Sequence, residues 1–408
     1  MKYYLIVILS VFTLNVECQN LISGVVLDVV GKPVSYASVQ YENLNTGVIT
    51  NNEGRFSIQK ESESKLVVRC LGYQTQSIYT DTLHHDLVIT LEPATVNLNE
   101  VKVTPVDVED LMKQAIKNLP KNYPTKTVRL KGLYKQAEVK NNYFNNVFES
   151  NVNVYLSGMG KLKMPDVETK IINYEYYTAP PVNYRNPQGY LYTTSLYFHP
   201  IIHQVKDYQF EYDGQFNYEG MEVVKIKIDP KLPNPKECQY KGFVCIDKET
   251  KGILYMEYSL IPNQIEMKRA NGLMQRQEKS QTKILFTKAK PFFKLDYIVE
   301  KNLATLKFNE AYYNIHAEEI DNLVNDNPGL AYLKDVEKID TVFTTFSFFT
   351  KDVNYSPAKY EPDELTFEEI MKQGKGKPFD KSRDYSNDFI IETREEKIFK
   401  EAVENSAR

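Results

Sequence analysis

Apolar and polar residues alternate with a period of two along much of this chain, the spacing that sends successive side chains to opposite faces of a strand. The run MEVVKIKIDP is the cleanest case: Val224, Ile226 and Ile228 fall on one face, Lys225 and Lys227 on the other. In NVFESNVNVYLSG, Val152, Val154 and Leu156 alternate with Asn151, Asn153 and Tyr155, and the preceding KGLYKQAEV predicts an antiparallel partner. GFVCID, the loop KETKG and ILYMEYSL predict a hairpin with Gly252 as its left-handed residue. TKILFTKAKPFFKLDYIVEK and ATLKFNEAYYNIHAEE extend the same pattern. Faces that are half polar predict an antiparallel sheet wetted on one side.

Over 107–119 the period becomes helical. Val108, Leu111, Met112, Ala115, Ile116 and Leu119 form one stripe. Asp107 is placed to cap the start, with Asp110 making an approximate capping box. Pro120 and Pro124 are read as the stop. The stripe predicts core packing, because a membrane-surface helix needs a more basic polar face.

Residues 21–92 read as short strands broken by turns. ISGVVLD leads to a turn at Val30–Pro33, and VSYASVQYEN predicts one strand with Val34, Tyr36, Ser38 and Gln40 opposite Ser35, Ala37, Val39 and Tyr41. TNNEG is the next corner, and RFSI, KLVVRCLGY and DLVITLEP continue the pattern. Gly31 and Gly54 suit turn positions with positive φ, and Pro33 presets φ where no ladder donor is needed. Phe56 and Ile58 alternate onto a core face. Such spacing predicts a small β-sandwich. Asn51, Asn52 and Glu53 offer oxygens to a calcium ion, but a hand-like loop needs several acidic donors, and here Arg55 follows the single charged one, so the turn reading is preferred.

The pattern Gly24-x-Val26-x-Asp28-x-x-Gly31-x-Pro33-Val34-x-Tyr36-Ala37-x-Val39, with Thr50-Asn51-x-x-Gly54-x-Phe56-x-Ile58 and Leu71-Gly72-Tyr73, resembles the carboxypeptidase-regulatory-like module over roughly residues 21–103. The resemblance implies a seven-stranded transthyretin-like sandwich, of a kind common in exported Bacteroidetes proteins and without the zinc-bearing catalytic domain. The helix with Asn122-Tyr123-Pro124, Tyr218 to Met221, Asp229-Pro230-Lys231 and Gly242-Phe243-x-x-Ile246-Asp247 resemble the pre-barrel region of large Bacteroidetes outer-membrane proteins. Long strands with a helix also resemble, in architecture alone, periplasmic lipoprotein carriers. The expected fold is mainly β: a sandwich over 19–92, a connector over 93–106, an α+β antiparallel half-barrel with one packing helix over 107–350, and a polar, partly helical tail over 351–408. A complete outer-membrane barrel is not expected, because the tail lacks barrel strands.

Composition narrows the classes. A net charge of −4 offers no global basic field for nucleic acid. Thirty Tyr and 20 Phe with no Trp fit a strand-rich protein, or a Tyr-lined groove. Residues 1–18 read as a signal peptide: Lys2, the apolar run Tyr3–Leu14, and Val16 and Cys18 before cleavage at Gln19. Lipidation of Cys18 is the rival, although Asn15-Val16-Glu17 fits a lipobox poorly. No later apolar run is long enough for a membrane helix in the mature chain. Export permits disulfides, but Cys238 and Cys245 fall on opposite strand faces unless a turn intervenes, so buried free thiols are expected for Cys70, Cys238 and Cys245.

The chemistry-bearing residues form no recognisable set. His199 and His203 have i, i+4 spacing, but Pro200 stands where a metalloprotease needs Glu. His84-His85 reads as an exposed turn. Ser157 and Ser195 lack a nucleophile elbow, and GKGKP lacks the spacing of a phosphate loop. No catalytic, cofactor-binding or metal residue is therefore assigned. The expectation is a non-enzymatic exported protein, periplasmic or outer-membrane associated. Its sandwich would dock on a partner and its half-barrel hold a lipid, peptide or envelope protein. Peripheral membrane association is compatible with this, nucleic acid is not. The alternatives are a hydrolase in the groove of the second domain and an accessory subunit of a transport or secretion assembly.

Overall fold

A computed structural model describes residues 21–42, 47–51, 53–60, 65–80, 86–94, 106–140, 143–161, 166–178, 200–232, 239–261, 266–268, 273–308, 340–357, 365–366 and 369. The signal-peptide reading, Cys18, Cys238, His84, His85, His199, Ser195 and GKGKP lie outside these residues.

The N-terminal module is a seven-stranded sandwich. β1 (Leu21–Asp28) lies between β4 (Arg55–Gln59), antiparallel, and β7 (Leu87–Leu91), parallel. The facing sheet has the order β3 (Gly47–Ile49), β2 (Ser38–Tyr41), β5 (Lys65–Arg69), β6 (Gln76–Tyr79). Ile22, Val26, Val39, Phe56, Leu66, Val68 and Ile89 fill the space between. Gly31 and Gly54 take positive φ, 81° and 72°, as the turns require. The TNNEG corner is a turn: Asn51 Oδ1 accepts from the backbone N–H of Glu53 and Arg55 at 3.0 and 2.9 Å, which occupies the oxygen a cation would need.

The predicted strand from Val34 to Asn43 is interrupted. Tyr36 has φ 63°, and the regular strand starts only at Ser38. A left-handed residue breaks the two-residue alternation, so Tyr36 leaves the sandwich core and joins the larger core of the second domain. Thr50 fixes this kink. Its Oγ1 accepts from Ala37 N–H and donates to Val34 C=O, both at 2.8 Å, while its C=O accepts from Tyr36 N–H at 3.0 Å.

The second domain opens with α1 (Val108–Lys117), capped by the Asp107 side chain on Asp110 N–H, with Leu111, Met112 and Ala115 buried. Pro120 does not end helical structure. It sits in the first turn of a second short helix, α2 (Leu119–Asn122), where a proline's missing donor costs nothing.

The main sheet is antiparallel and open. Its path runs β10 (Val167–Thr178), β9 (Tyr143–Leu156), β8 (Val128–Lys140), β18 (Asp340–Asn354), β17 (Lys294–Phe308), β16 (Leu273–Thr287), β14 (Ile253–Leu260), β13 (Tyr240–Asp247), β12 (Met221–Pro230), β11 (Tyr208–Tyr218). β15 (Glu266–Lys268) pairs with β16 off this path. The end strands β10 and β11 do not pair with each other, so the sheet is a half-barrel. Past Asn354, Leu365 bridges back to Ile171 on β10.

In the β13–β14 hairpin the left-handed residue is Lys251, with φ 62°, not Gly252. Gly252 is required for space: a Cβ there would lie 2.4 Å from the Phe293 ring. Asp247 closes the turn by accepting from the Thr250 backbone N–H and hydroxyl.

Candidate functional site: a cavity between sandwich and sheet

Register divides the main sheet into two unlike faces. Ile226, Val244, Met256, Ile284, Ile298 and Phe348 form one cross-strand row. Lys225, Cys245, Tyr255, Leu285, Tyr297 and Phe349 form the next, which by strand alternation points the other way. Phe243, Glu257 and Lys283 lie beside that second row on the same face.

The apolar face is filled by side chains. Tyr123, after α2, is fully buried with its ring 5.1 Å from Phe286 and 5.9 Å from Phe293. Its hydroxyl donates to Ile253 C=O. Asn122 adds a side-chain bond to Thr250 C=O at 3.0 Å, tying the helical segment to the β13–β14 turn.

The polar face carries the sandwich. Gly47 meets the Phe349 ring, and the Tyr297 hydroxyl donates to Tyr36 C=O at 3.4 Å. Gln40 Nε2 donates to Asp296 Oδ1 at 3.3 Å. At the edge, Arg69 Nε pairs with Glu219 Oε1 at 3.0 Å, and Thr75 donates to the same oxygen at 3.4 Å. The face predicted to be wet is therefore largely covered here. Lys283 and Lys301 are 9% and 4% exposed, while Lys227 toward the edge remains open.

Between the two modules lies a cavity of about 380 Å³. The sandwich contributes Ser35, Tyr36, Cys70, Leu71 and Gly72. The sheet contributes Phe216, Lys225, Phe243 and Cys245 from the β11 side, and Tyr255, Glu257, Lys283 and Tyr297 from the centre. The Lys283 ammonium sits 3.3 Å from the Tyr36 ring centroid and 3.5 Å from Glu257 Oε1. Glu257 also accepts from the Tyr255 hydroxyl at 2.9 Å and Gln281 Nε2 at 3.1 Å. Lys225 sits 4.3 Å over the Phe243 ring and 2.7 Å from Asp213 Oδ2. Tyr218, on the neighbouring strand end, buries a hydroxyl that has no hydrogen-bond partner among the described residues.

Titration follows from this burial. Removal from water pushes the Cys70 thiol up to about 12, against the pull of Lys283. The same cause raises Cys245, with Lys225 opposing it, and keeps Tyr255 and Tyr297 protonated. Asp296 is also raised by burial, which Lys294 and the Gln40 bond only partly offset. Both thiols are free. Cys245 is buried and Cys70 part-exposed, and desolvation disfavours the thiolate form of both.

Tyr36, Leu71, Gly72 and Phe243 belong to the patterns that carry the family resemblances, but no pattern in the lining points to a ligand. Two irregularities in the sequence nonetheless mark them. Glu257 interrupts a largely apolar strand, and the register sets Lys283 directly opposite it. Tyr36 stands beside Ala37 and Val39 in a run whose alternation assigns it to the sandwich's own sheet. His203 lies in a one-turn helix, α3 (Pro200–His203), and Ser157 at the end of β9, both away from the cavity. Among the described residues no group of three His, Cys, Asp or Glu is placed to hold a metal ion, and no helix is long and apolar enough to cross a membrane.

No curated protein matches the chain. Solved structures with some likeness include an outer membrane lipoprotein-sorting protein domain from Vibrio parahaemolyticus, 8% identical, with a TM-score of 0.26, covering 65% of this chain and 100% of that one. A DUF1329 family protein from Desulfovibrio piger is 10% identical, with a TM-score of 0.27, covering 62% of this chain and 95% of that one. The Pseudomonas aeruginosa MucA/MucB complex is 7% identical, with a TM-score of 0.19, covering 62% of this chain and 100% of that one. Likeness at this level carries no argument about function. The family model for the CarboxypepD_reg-like domain matches residues 22–103, so the sandwich is similar to that family.

Proposed function

We propose that this is a non-enzymatic exported envelope protein with a binding role, in which the sandwich is seated on the half-barrel and the two modules together enclose the ligand. The supporting observation is the cavity itself. It is lined from both modules, walled by Tyr36, Phe216, Phe243, Tyr255 and Tyr297, and large enough for a small ligand or one anchoring side chain of a peptide or protein. Aromatic walls with a few fixed polar groups suit recognition. A hydrolase in the same groove is the less favoured reading, since desolvation raises both thiols that line it, Cys70 and Cys245. The envelope location rests on the signal-peptide reading and on the resemblance of the sandwich to modules of exported proteins.

The reading is tested by native mass spectrometry of the chain purified from its own envelope. The wild type is expected to carry a bound species. Ser35→Trp and Leu71→Trp, which project bulk from two different loops into the cavity, are expected to lose it while keeping the far-ultraviolet spectrum of a β protein. Retention of that species by both folded variants would contradict the reading.

A further inference from the structure

The ligand's chemical class can be argued from the charges around the cavity, given that the cavity is the binding site. Lys283 is committed: Glu257 holds it on one side, and the Tyr36 ring takes its ammonium at 3.3 Å. Glu257 is committed as well, through Tyr255 and Gln281. A ligand engaging either must dismantle a buried network, which is costly.

Lys225 differs. Its side chain is 33% exposed and its partner Asp213 is 44% exposed, so this pair lies at the mouth. A rim pair of that kind contributes on the order of 1 kcal/mol or less, and an incoming anion can replace Asp213 at little cost. Asp213 stands in the bulge of β11 between Tyr212 and Gln215, beside Gly214, around which a Cβ would meet nothing within 4 Å. That corner has room to swing away. A cationic ligand is disfavoured because ammonium groups already occupy the ring faces of Tyr36 and Phe243. The remaining lining is mostly aromatic rings, with two thiols, Ser35, Leu71 and Gly72, and suits a flat apolar body. A volume of about 380 Å³ sits near the bottom of the range for ligand pockets, too small for a diacyl lipid.

We propose that the cavity binds a small amphipathic carboxylate, with a flat apolar body among Tyr36, Phe216 and Tyr297 and its anionic end on Lys225 in place of Asp213. This inference rests on the cavity being the binding site. The chain has no Trp, so a naphthalene fluorophore reports binding without interference. Fluorescence titrations of the full chain with 2-naphthoate, the neutral 2-naphthalenemethanol and, as competitor, decanoate separate the alternatives. The naphthoate is expected to bind at least tenfold tighter than the alcohol. Lys225→Met is expected to weaken naphthoate about tenfold and leave the alcohol unchanged, and Asp213→Asn to tighten naphthoate severalfold by removing its competitor.

Equal affinity for acid and alcohol, indifference to both substitutions, displacement by decanoate at lower concentration, or no binding of any probe would each overturn the proposal. The species carried by the purified protein keeps the two readings apart. If Ser35→Trp and Leu71→Trp lose that species while naphthoate fails to bind, the cavity stands as the site and the ligand class is wrong. If both retain it, the site itself is wrong.

Discussion

The two faces of the main sheet solve the same problem in opposite ways. The face of Ile226, Val244, Met256, Ile284 and Phe286 is apolar where a helical segment closes it, with Tyr123 fully buried, and its polar residues Thr282 and Glu300 stand further along the sheet. The other face carries Lys225, Glu257 and Lys283 among its aromatics and is closed by a whole β-sandwich. Apolar surface packs densely against a stripe of matching side chains. Charged surface cannot, because each buried charge must keep a partner at a set distance. The sandwich therefore meets the sheet through discrete polar contacts, the inserted Tyr36 ring and a few apolar contacts such as Gly47 on Phe349, and leaves a cavity between them. The filled face supplies stability, and the imperfectly closed face has room for a ligand.

The contrast predicts a graded series of effects. The largest belongs to the filled face. Tyr123→Ala removes a buried ring from Phe286 and Phe293 and is expected to cost about 3–5 kcal/mol in denaturant unfolding. On the cavity face, Lys283→Met keeps most of the apolar stem, and Glu257 retains its Tyr255 and Gln281 donors, so a smaller loss of about 2 kcal/mol is expected. A cost equal to that of Tyr123→Ala would erase the distinction between the faces.

At Tyr36 the order of two substitutions is the test. Glycine usually costs about 0.5–1 kcal/mol more than alanine in regular structure. At φ 63° the order reverses, and Tyr36→Gly is expected to be about 1 kcal/mol more stable than Tyr36→Ala by the same measurement.

The smallest effect is a pH slope. Burial raises the folded-state pKa of Asp296 above its unfolded value, so between the two values the native state holds the extra proton. Stability then falls as pH rises through that window, from the ordinary carboxylate range upward. Asp296→Asn can still accept from Gln40 and is expected to flatten this fall in thermal melts across acidic to neutral pH. An unchanged slope would place Asp296 in water rather than beneath the sandwich.

Much of this architecture is legible in the sequence where a local rule governs it. Alternation in 221–230 and 151–156 yields β12 and β9, the stripe of Leu111, Met112 and Ala115 yields α1, and Gly31 and Gly54 mark their turns. Local rules fail where distant residues decide. Lys251 takes the left-handed position because Phe293, packed from another hairpin, leaves Gly252 to provide space. Pro120 reads as a stop, yet a proline also begins a helical turn, and Tyr123 anchoring into the sheet favours the second outcome. The cavity is the least legible feature of all. It depends on Tyr36 meeting Lys283 and Tyr297 across most of the chain, and no spacing or motif encodes such a meeting.

That meeting is also where the account is most exposed to test. A double-mutant cycle with Tyr36→Leu, Lys283→Met and the pair, read by denaturant unfolding of the full chain, isolates the contact between sandwich and sheet. The ring and ammonium at 3.3 Å in a nearly dry site predict a coupling energy of about 1–2 kcal/mol. Additivity within about 0.3 kcal/mol would contradict the seating of the sandwich on the charged face, and with it the cavity.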